Sequence, residues 1–201
     1  MKDNLLYKIL RPLITFVFKI LVRPKFIGLE NIPKKGRVIL AGNHTSIFDA
    51  PLLISSTKRN VHFLAKKELW KWPKRIIFGH LGLIPVDRKS RDGNALITAE
   101  RYLKKEKLIG IFPEGTRSLD GKLGEFKPGS FKIATVAQKP IVIVSMKNTE
   151  KIHKKFPFKR TIVEMDIIDV LYDDVRTMNT IELSEKVRNI IDEDLKNEKE
   201  V

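Results

Sequence analysis

Along this chain, short apolar runs alternate with stretches in which apolar residues recur every three or four positions. Residues 37–41, 61–65, 83–86, 108–112 and 141–146 are largely apolar, partly β-branched runs that end in polar or turn-forming residues, and each predicts a buried strand. Residues 26–29 predict a further strand before a turn at Pro33, Lys34, Lys35 and Gly36. Residues 161–170 predict another, with Ile162, Glu164, Asp166 and Ile168 alternating imperfectly. Helical spacing is clearest in residues 92–106, where Asp92 stands near the start and Ala95, Leu96, Ala99, Tyr102 and Leu103 share a face. In residues 180–196, Ile181, Val187, Ile190, Ile191 and Leu195 share one in the same way. Shorter helices are predicted after His44, fading by Thr57, and from Phe126 to about Gln138. Residues 69–81 carry Trp70 and Trp72 among basic residues, which suits a helix covering the sheet or a lipid-facing surface. The alternation makes the fold class α/β: a central, mostly parallel or mixed sheet flanked by helices, with the polar loops clustered at strand ends on one side.

The first segment follows neither pattern. Residues 5–22 are mostly apolar, yet Lys8, Arg11, Thr15 and Lys19 recur at spacings of three and four and draw a narrow polar stripe. A membrane-spanning helix would bury those charges at a cost of about 3 kcal/mol each. The segment therefore predicts an amphipathic helix lying in a membrane interface, apolar side down, with its basic side chains reaching the headgroups. Packing against its own domain is the alternative. Pro12 predicts a kink, or a split into a helix pair. On this reading residues 1–24 form a membrane-associating helical segment and residues 25–201 the catalytic domain.

Composition narrows the chemistry. A chain of 201 residues with 42% hydrophobic content is long enough for one domain with a sizeable core. The absence of cysteine removes thiol nucleophiles, disulfides and thiolate metal sites together. His44, His62, His80 and His153 are scattered, without the spacing of a helical metal site, so neither a metal nor another cofactor is expected. The net charge of +15 is uneven: residues 1–165 carry 34 basic and 13 acidic groups, whereas residues 166–201 are net −6. Such a basic body suits an anionic membrane surface, an acidic substrate or carrier, or nucleic acid. No aromatic-studded or recognisable reader motif points to nucleic acid.

The candidate chemistry starts at Asn43-His44-Thr45-Ser46-Ile47-Phe48-Asp49, where the strand pattern of residues 37–41 gives way to a helical one. Residues five apart lie about 140° from each other on a helix, so His44 and Asp49 cannot share one regular face. If His44 sits in the strand-to-helix turn, the first helical turn brings the carboxylate back to the imidazole. Asp49 then fixes the tautomer, and the other ring nitrogen is free to take a proton from a hydroxyl. Ser46 and Asp49 also make a capping-box pattern, which is the plain structural role of the same residues. A second block, Phe112-Pro113-Glu114-Gly115-Thr116-Arg117-Ser118, ends another strand in a tight loop holding one acid and one base.

Together these blocks resemble the glycerophospholipid acyltransferase family. Its first motif, Asn-His followed by four residues and Asp, is matched by Asn43, His44 and Asp49, and its Phe-Pro-Glu-Gly-Thr-Arg-Ser motif is matched from Phe112 to Ser118 without a change. Gly82, Asp87 and Arg88 resemble its second block, with Pro85 where many members carry an aromatic residue. Residues 140–144 resemble its fourth, with Ile143 in place of a second proline. The resemblance covers residues 25–146 and implies a central sheet of about seven strands.

It also implies an O-acyltransferase of phospholipid biosynthesis, moving a fatty acyl group from an acyl-carrier-protein or acyl-coenzyme A thioester to the sn-2 hydroxyl of 1-acylglycerol 3-phosphate and giving phosphatidic acid. His44 would be the base and Asp49 its orienting group. Glu114, Gly115, Thr116 and Arg117 would hold the glycerol-phosphate head, with Glu114 accepting from a glycerol hydroxyl, and Arg88 and Lys66 would add positive potential. Backbone N–H groups of the turn near His44 are the expected oxyanion donors. The partners implied are the acyl donor, lysophosphatidate and an anionic membrane surface, which places the protein on the cytoplasmic face of the cell membrane. Glycerol 3-phosphate or another lysophospholipid is the alternative acceptor, and a non-catalytic nucleic-acid-binding protein is the remote alternative.

Overall fold

A computed structural model of the chain describes residues 5–69, 78–79, 83–86, 94–105, 107–118, 120–152 and 160–197. Gly82, Asp87 and Arg88 of the second block, Trp70 and Trp72, and Asp92 lie outside the described residues.

Seven strands form one sheet in the order β1-β7-β6-β2-β5-β3-β4. They are β1 (Val22–Ile27), β2 (Val38–Gly42), β3 (Val61–Lys66), β4 (Ile84–Val86), β5 (Leu108–Ile111), β6 (Ile141–Lys147) and β7 (Thr161–Leu171). From β6 to β4 all neighbours are parallel, whereas β7 runs antiparallel to β6 and parallel to β1. The sheet is thus mixed and mostly parallel, as the alternation of patterns predicts.

The helices are α1 (Leu5–Leu21), α2 (Asp49–Ser56), α3 (Asn94–Lys104), α4 (Lys132–Ala137), α5 (Asp174–Thr177) and α6 (Thr180–Asn197). Strand β2 is buried throughout and divides the core between two faces, because successive side chains alternate across a sheet. Val38 and Leu40 pack with Tyr7 and Phe18 of α1 and with Leu52 and Leu53 of α2. Ile39 and Ala41 pack with Leu103 of α3, Ile133 of α4, and Val187 and Ile191 of α6.

Four local expectations are corrected. The first strand begins at Val22 rather than Phe26 and stops at Ile27, because Gly28 turns the backbone into the left-handed region at φ 68° and residues Leu29–Asn31 form a 3-10 turn. Pro24 is tolerated in β1 because this strand lies at the sheet edge. Pro12 does not split the first helix: α1 is continuous from Leu5 to Leu21. Tyr7 before it and Phe18 after it are both buried, so both halves pack on the domain while Pro12 itself faces solvent. The polar stripe of α1 is also divided. Arg11 donates to the Thr57 carbonyl at 2.7 Å and the Thr15 hydroxyl is buried, which leaves Lys8 and Lys19 exposed. The helix from Phe126 likewise starts later, as a 3-10 turn at Pro128–Phe131 leading into α4.

Candidate active site

Five parallel strands end on one edge of the sheet, and the sequence motifs follow from that edge. His44 lies two residues beyond β2, the Glu114–Arg117 loop follows β5, Lys66 ends β3, and Thr149 lies two residues beyond β6. Because β2 pairs with β5 on one side and β6 on the other, blocks separated by 70 and about 100 positions become neighbours. The carboxyl ends of parallel strands are the usual place for a ligand in an open α/β sheet.

The turn after β2 is pinned first. Asn43 is buried and pairs its amide with the β6 backbone in both directions: Nδ2 donates to the Met146 carbonyl at 2.9 Å, and Met146 N–H donates to Oδ1 at 2.8 Å. His44 then turns outward. Its Nδ1 lies 2.8 Å from Asp49 Oδ2, and the Thr45 and Ser46 N–H groups donate to that same oxygen, each at 2.8 Å. Thr149 Oγ donates to the other oxygen, Oδ1, at 2.5 Å. A carboxylate only accepts, so the proton of the His44 bond sits on Nδ1 and Nε2 carries the lone pair. Asp49 is wholly buried, the His44 side chain is 19% exposed, and Nε2 has no partner among the described residues. The ring stacks on Phe112 at 4.1 Å between centroids and 10° between planes, and Phe112 stacks on Phe63 at 5.7 Å.

The capping-box expectation is half met. Ser46 N–H donates to Asp49, but Ser46 Oγ accepts from Phe48 N–H at 3.3 Å, and α2 starts at Asp49 with no side-chain cap.

Glu114 faces inward. Its carboxylate accepts from His44 N–H at 2.7 Å and from Gly124 N–H at 3.1 Å, so it ties the His44 turn to the loop that follows the motif. Burial pushes its carboxyl above the ordinary glutamate range, against the pull of those two amides and of His44, and the charge of Asp49 adds to the rise. Ser118 N–H donates to the His44 carbonyl at 2.8 Å and closes the second link between the loops. Gly115 sits at φ 73°, a turn conformation that favours glycine, and the Lys127 ammonium lies 3.4 Å from where a Cβ would be. Thr116, Arg117 and Lys66 are exposed, and a cavity of about 460 Å³ has Glu114, Thr116, Arg117, Asp120, Lys122 and Glu125 among its walls.

One expectation of this turn changes. The N–H groups of His44, Thr45 and Ser46 are all engaged by carboxylates, so they are not available to an oxyanion. Among the described residues, the N–H groups of Ile47, Thr116 and Arg117 keep no intramolecular acceptor. Sequence reasoning passed over Lys127, Phe112 and Thr149. Phe112 stands inside a quoted motif, whereas nothing local marks Lys127 or Thr149. Among the described residues no group of three His, Asp or Glu side chains is placed to hold a metal ion.

The arrangement supplies an imidazole oriented by a buried carboxylate, a stacked wall and a set of exposed cations on one edge. Residues 23–147 match the family model described as Acyltransferase. The chain is 38% identical over 125 residues to a 1-acyl-sn-glycerol-3-phosphate acyltransferase of Borreliella burgdorferi, a stretch covering 61% of this chain and 50% of that one. It is 30% identical over 139 residues to the human 1-acyl-sn-glycerol-3-phosphate acyltransferase alpha, covering 67% of this chain and 49% of that one. The match thus spans about half the length of these relatives. The fold aligns with the crystal structure of a 1-acyl-sn-glycerophosphate acyltransferase from Thermotoga maritima at a TM-score of 0.79 and 28% identity, covering 99% of this chain and 84% of that one.

Proposed function

The chain belongs to the acyltransferase family, and from that premise we propose that it transfers a fatty acyl group from an acyl-carrier-protein or acyl-coenzyme A thioester to the sn-2 hydroxyl of 1-acylglycerol 3-phosphate, giving phosphatidic acid. The observation that carries this reading is the His44 Nδ1 to Asp49 Oδ2 contact of 2.8 Å, on a turn whose backbone is tied to Glu114 and Ser118 at the two sides of the exposed Thr116 and Arg117.

As the acceptor oxygen attacks the thioester carbonyl carbon, its proton passes to His44 Nε2, and Asp49 stabilises the imidazolium that forms. The tetrahedral intermediate then collapses, the carbon–sulfur bond breaks, and the thiolate recovers the proton from His44. No acyl-enzyme is needed. The head phosphate pairs with Arg117, whose planar fork matches phosphate oxygens, with Lys66, Arg88 and the ammonium of Lys127 adding positive potential. Thr116 and the Gly115 backbone line the same loop. Glu114 acts by holding the two loops together, since its oxygens already accept from two backbone amides.

The substrate is a membrane lipid, so the site must reach a bilayer. Among the described residues, no helix is long and apolar enough to cross a membrane. Helix α1 instead leaves Ile9, Leu13, Phe16, Val17 and Ile20 exposed on one side while Tyr7 and Phe18 dock on the domain. This supports a helix lying in the membrane interface, on the cytoplasmic face where the acyl donors are found.

The test is acyl transfer in detergent micelles to lysophosphatidate, with glycerol 3-phosphate as competing acceptor. His44→Ala is expected to lower kcat about 10²- to 10⁴-fold, the usual contribution of a positioned base. Preference for glycerol 3-phosphate would change the acceptor and keep the mechanism. A folded wild type inactive with every acceptor and donor would overturn the reading.

A further inference from the structure

Asp49 is held by two sets of contacts of different origin. Three donors on Oδ2 come from residues 44 to 46 of the same turn. The donor on Oδ1 comes from Thr149, 100 positions away and two residues beyond the region that matches the family model. A carboxylate gripped at one oxygen can still swing about its Cβ–Cγ bond, because that torsion is broad. A second grip on the other oxygen stops the swing and keeps the Oδ2 lone pair aimed at Nδ1.

The position of Thr149 is built with care. Asn43 clamps Met146, Asn148 turns the backbone at φ 66°, and Thr149 comes back against Asp49 with no exposure to solvent. A threonine hydroxyl has one proton. Since it goes to Asp49, the 3.0 Å contact between the Thr149 and Thr45 hydroxyls has Thr45 as donor. A directed chain results, from Thr45 to Thr149 to Asp49, with His44 donating to the far oxygen.

We propose that Thr149 is a positioning residue of the acyl-transfer site, fixing the plane of the Asp49 carboxylate and through it the tautomer and aim of His44. This rests on the acyl-transfer reading for its kinetic consequence but not for its structural one. The competing role is a buried threonine that only satisfies its own hydroxyl.

Thr149→Val keeps the shape and removes the hydroxyl, and Thr149→Ser keeps the hydroxyl. Both are compared with wild type in kcat and KM for lysophosphatidate, in thermal midpoint, and in the proton resonance of His44 Nδ1–H, assigned by its loss in His44→Ala. Thr149→Val is expected to lower kcat about ten- to a hundred-fold, the scale of a small misplacement in a site, with KM within about twofold. Its Nδ1–H resonance is expected to broaden into exchange with water, and Thr149→Ser to restore both readouts. Wild-type kcat and an unchanged resonance in Thr149→Val would overturn the proposal. So would a loss of kcat only in proportion to the unfolded fraction, or one that serine does not restore. If wild type transfers no acyl group, the proposed reaction falls, and the resonance alone decides whether Thr149 aims Asp49.

Discussion

At the scale of single residues, Glu114 shows how a motif residue can do something other than its chemistry suggests. In a glycine-containing polar loop it reads as a substrate contact, and only the pairing of β2 with β5 brings the His44 amide to its oxygen. That information is tertiary, so no local pattern contains it. Glu114→Gln offers one acceptor and one donor, so one of the two backbone N–H groups would face an NH₂ group. Loss of activity is expected, with a pH-dependent effect on stability. The folded-state carboxyl is raised, so its contribution to stability is fully present below the ordinary glutamate range and is lost as pH rises through that range to the raised value. The glutamine variant lacks this titration. The thermal-midpoint advantage of wild type over Glu114→Gln is therefore expected to widen as pH falls from neutrality through the carboxylate range. A gap that stays constant or narrows on acidification would overturn this assignment. His44 and Asp49 were legible as a pair because they lie five positions apart across a predicted strand-to-helix boundary, whereas Thr149 was not, since its partner is 100 positions away.

At the scale of elements, the sheet carries the aromatic wall of the site. Gly110 lies in β5, opposite Phe63 of β3, and a Cβ there would fall 2.4 Å from the Phe63 ring. The missing side chain lets Phe63 lie flat, Phe112 stacks on Phe63, and His44 stacks on Phe112. Gly110→Ala must push this stack, and overpacking of a dense core costs about 1 to 3 kcal/mol. Thermal melting should show that loss, and kcat per folded molecule should fall as well because His44, the proposed base, rides on the displaced stack. Reduced stability with an unchanged kcat would make the stack packing and nothing more. The strands themselves were legible because parallel strands buried on both faces read as continuous apolar runs. Strand β1 was placed late because its residues, Arg23, Pro24 and Lys25 among them, read as polar linker; at a sheet edge such residues are tolerated.

At the scale of the whole molecule, the proposed membrane contact rests on α1. Its apolar residues divide into two arcs on a helix that turns about 100° per residue. One arc, with Tyr7, Ile14, Phe18 and Leu21, packs against the core, and Phe18 touches Phe48 of the His44–Asp49 turn at 6.3 Å between ring centroids. The other holds Ile9, Leu13, Phe16, Val17 and Ile20 in solvent, with Lys8 and Lys19 exposed along its flank. Periodicity alone showed one polar stripe and could not say that two of its members, Arg11 and Thr15, would turn toward the domain. Leu13→Glu with Phe16→Glu should leave the thermal midpoint unchanged, since both side chains are more than half exposed. Burying an apolar side chain of this size contributes about 1.5 to 3 kcal/mol, so loss of two should weaken binding to phosphatidylglycerol vesicles by well over tenfold. Raising salt should weaken wild-type binding only in part, because it screens the lysines and leaves apolar insertion intact. Unchanged vesicle binding would remove α1 from the membrane contact. A drop in melting temperature would instead show that this arc is covered by protein, and the proposed route of a bilayer lipid to His44 would have to start from another surface.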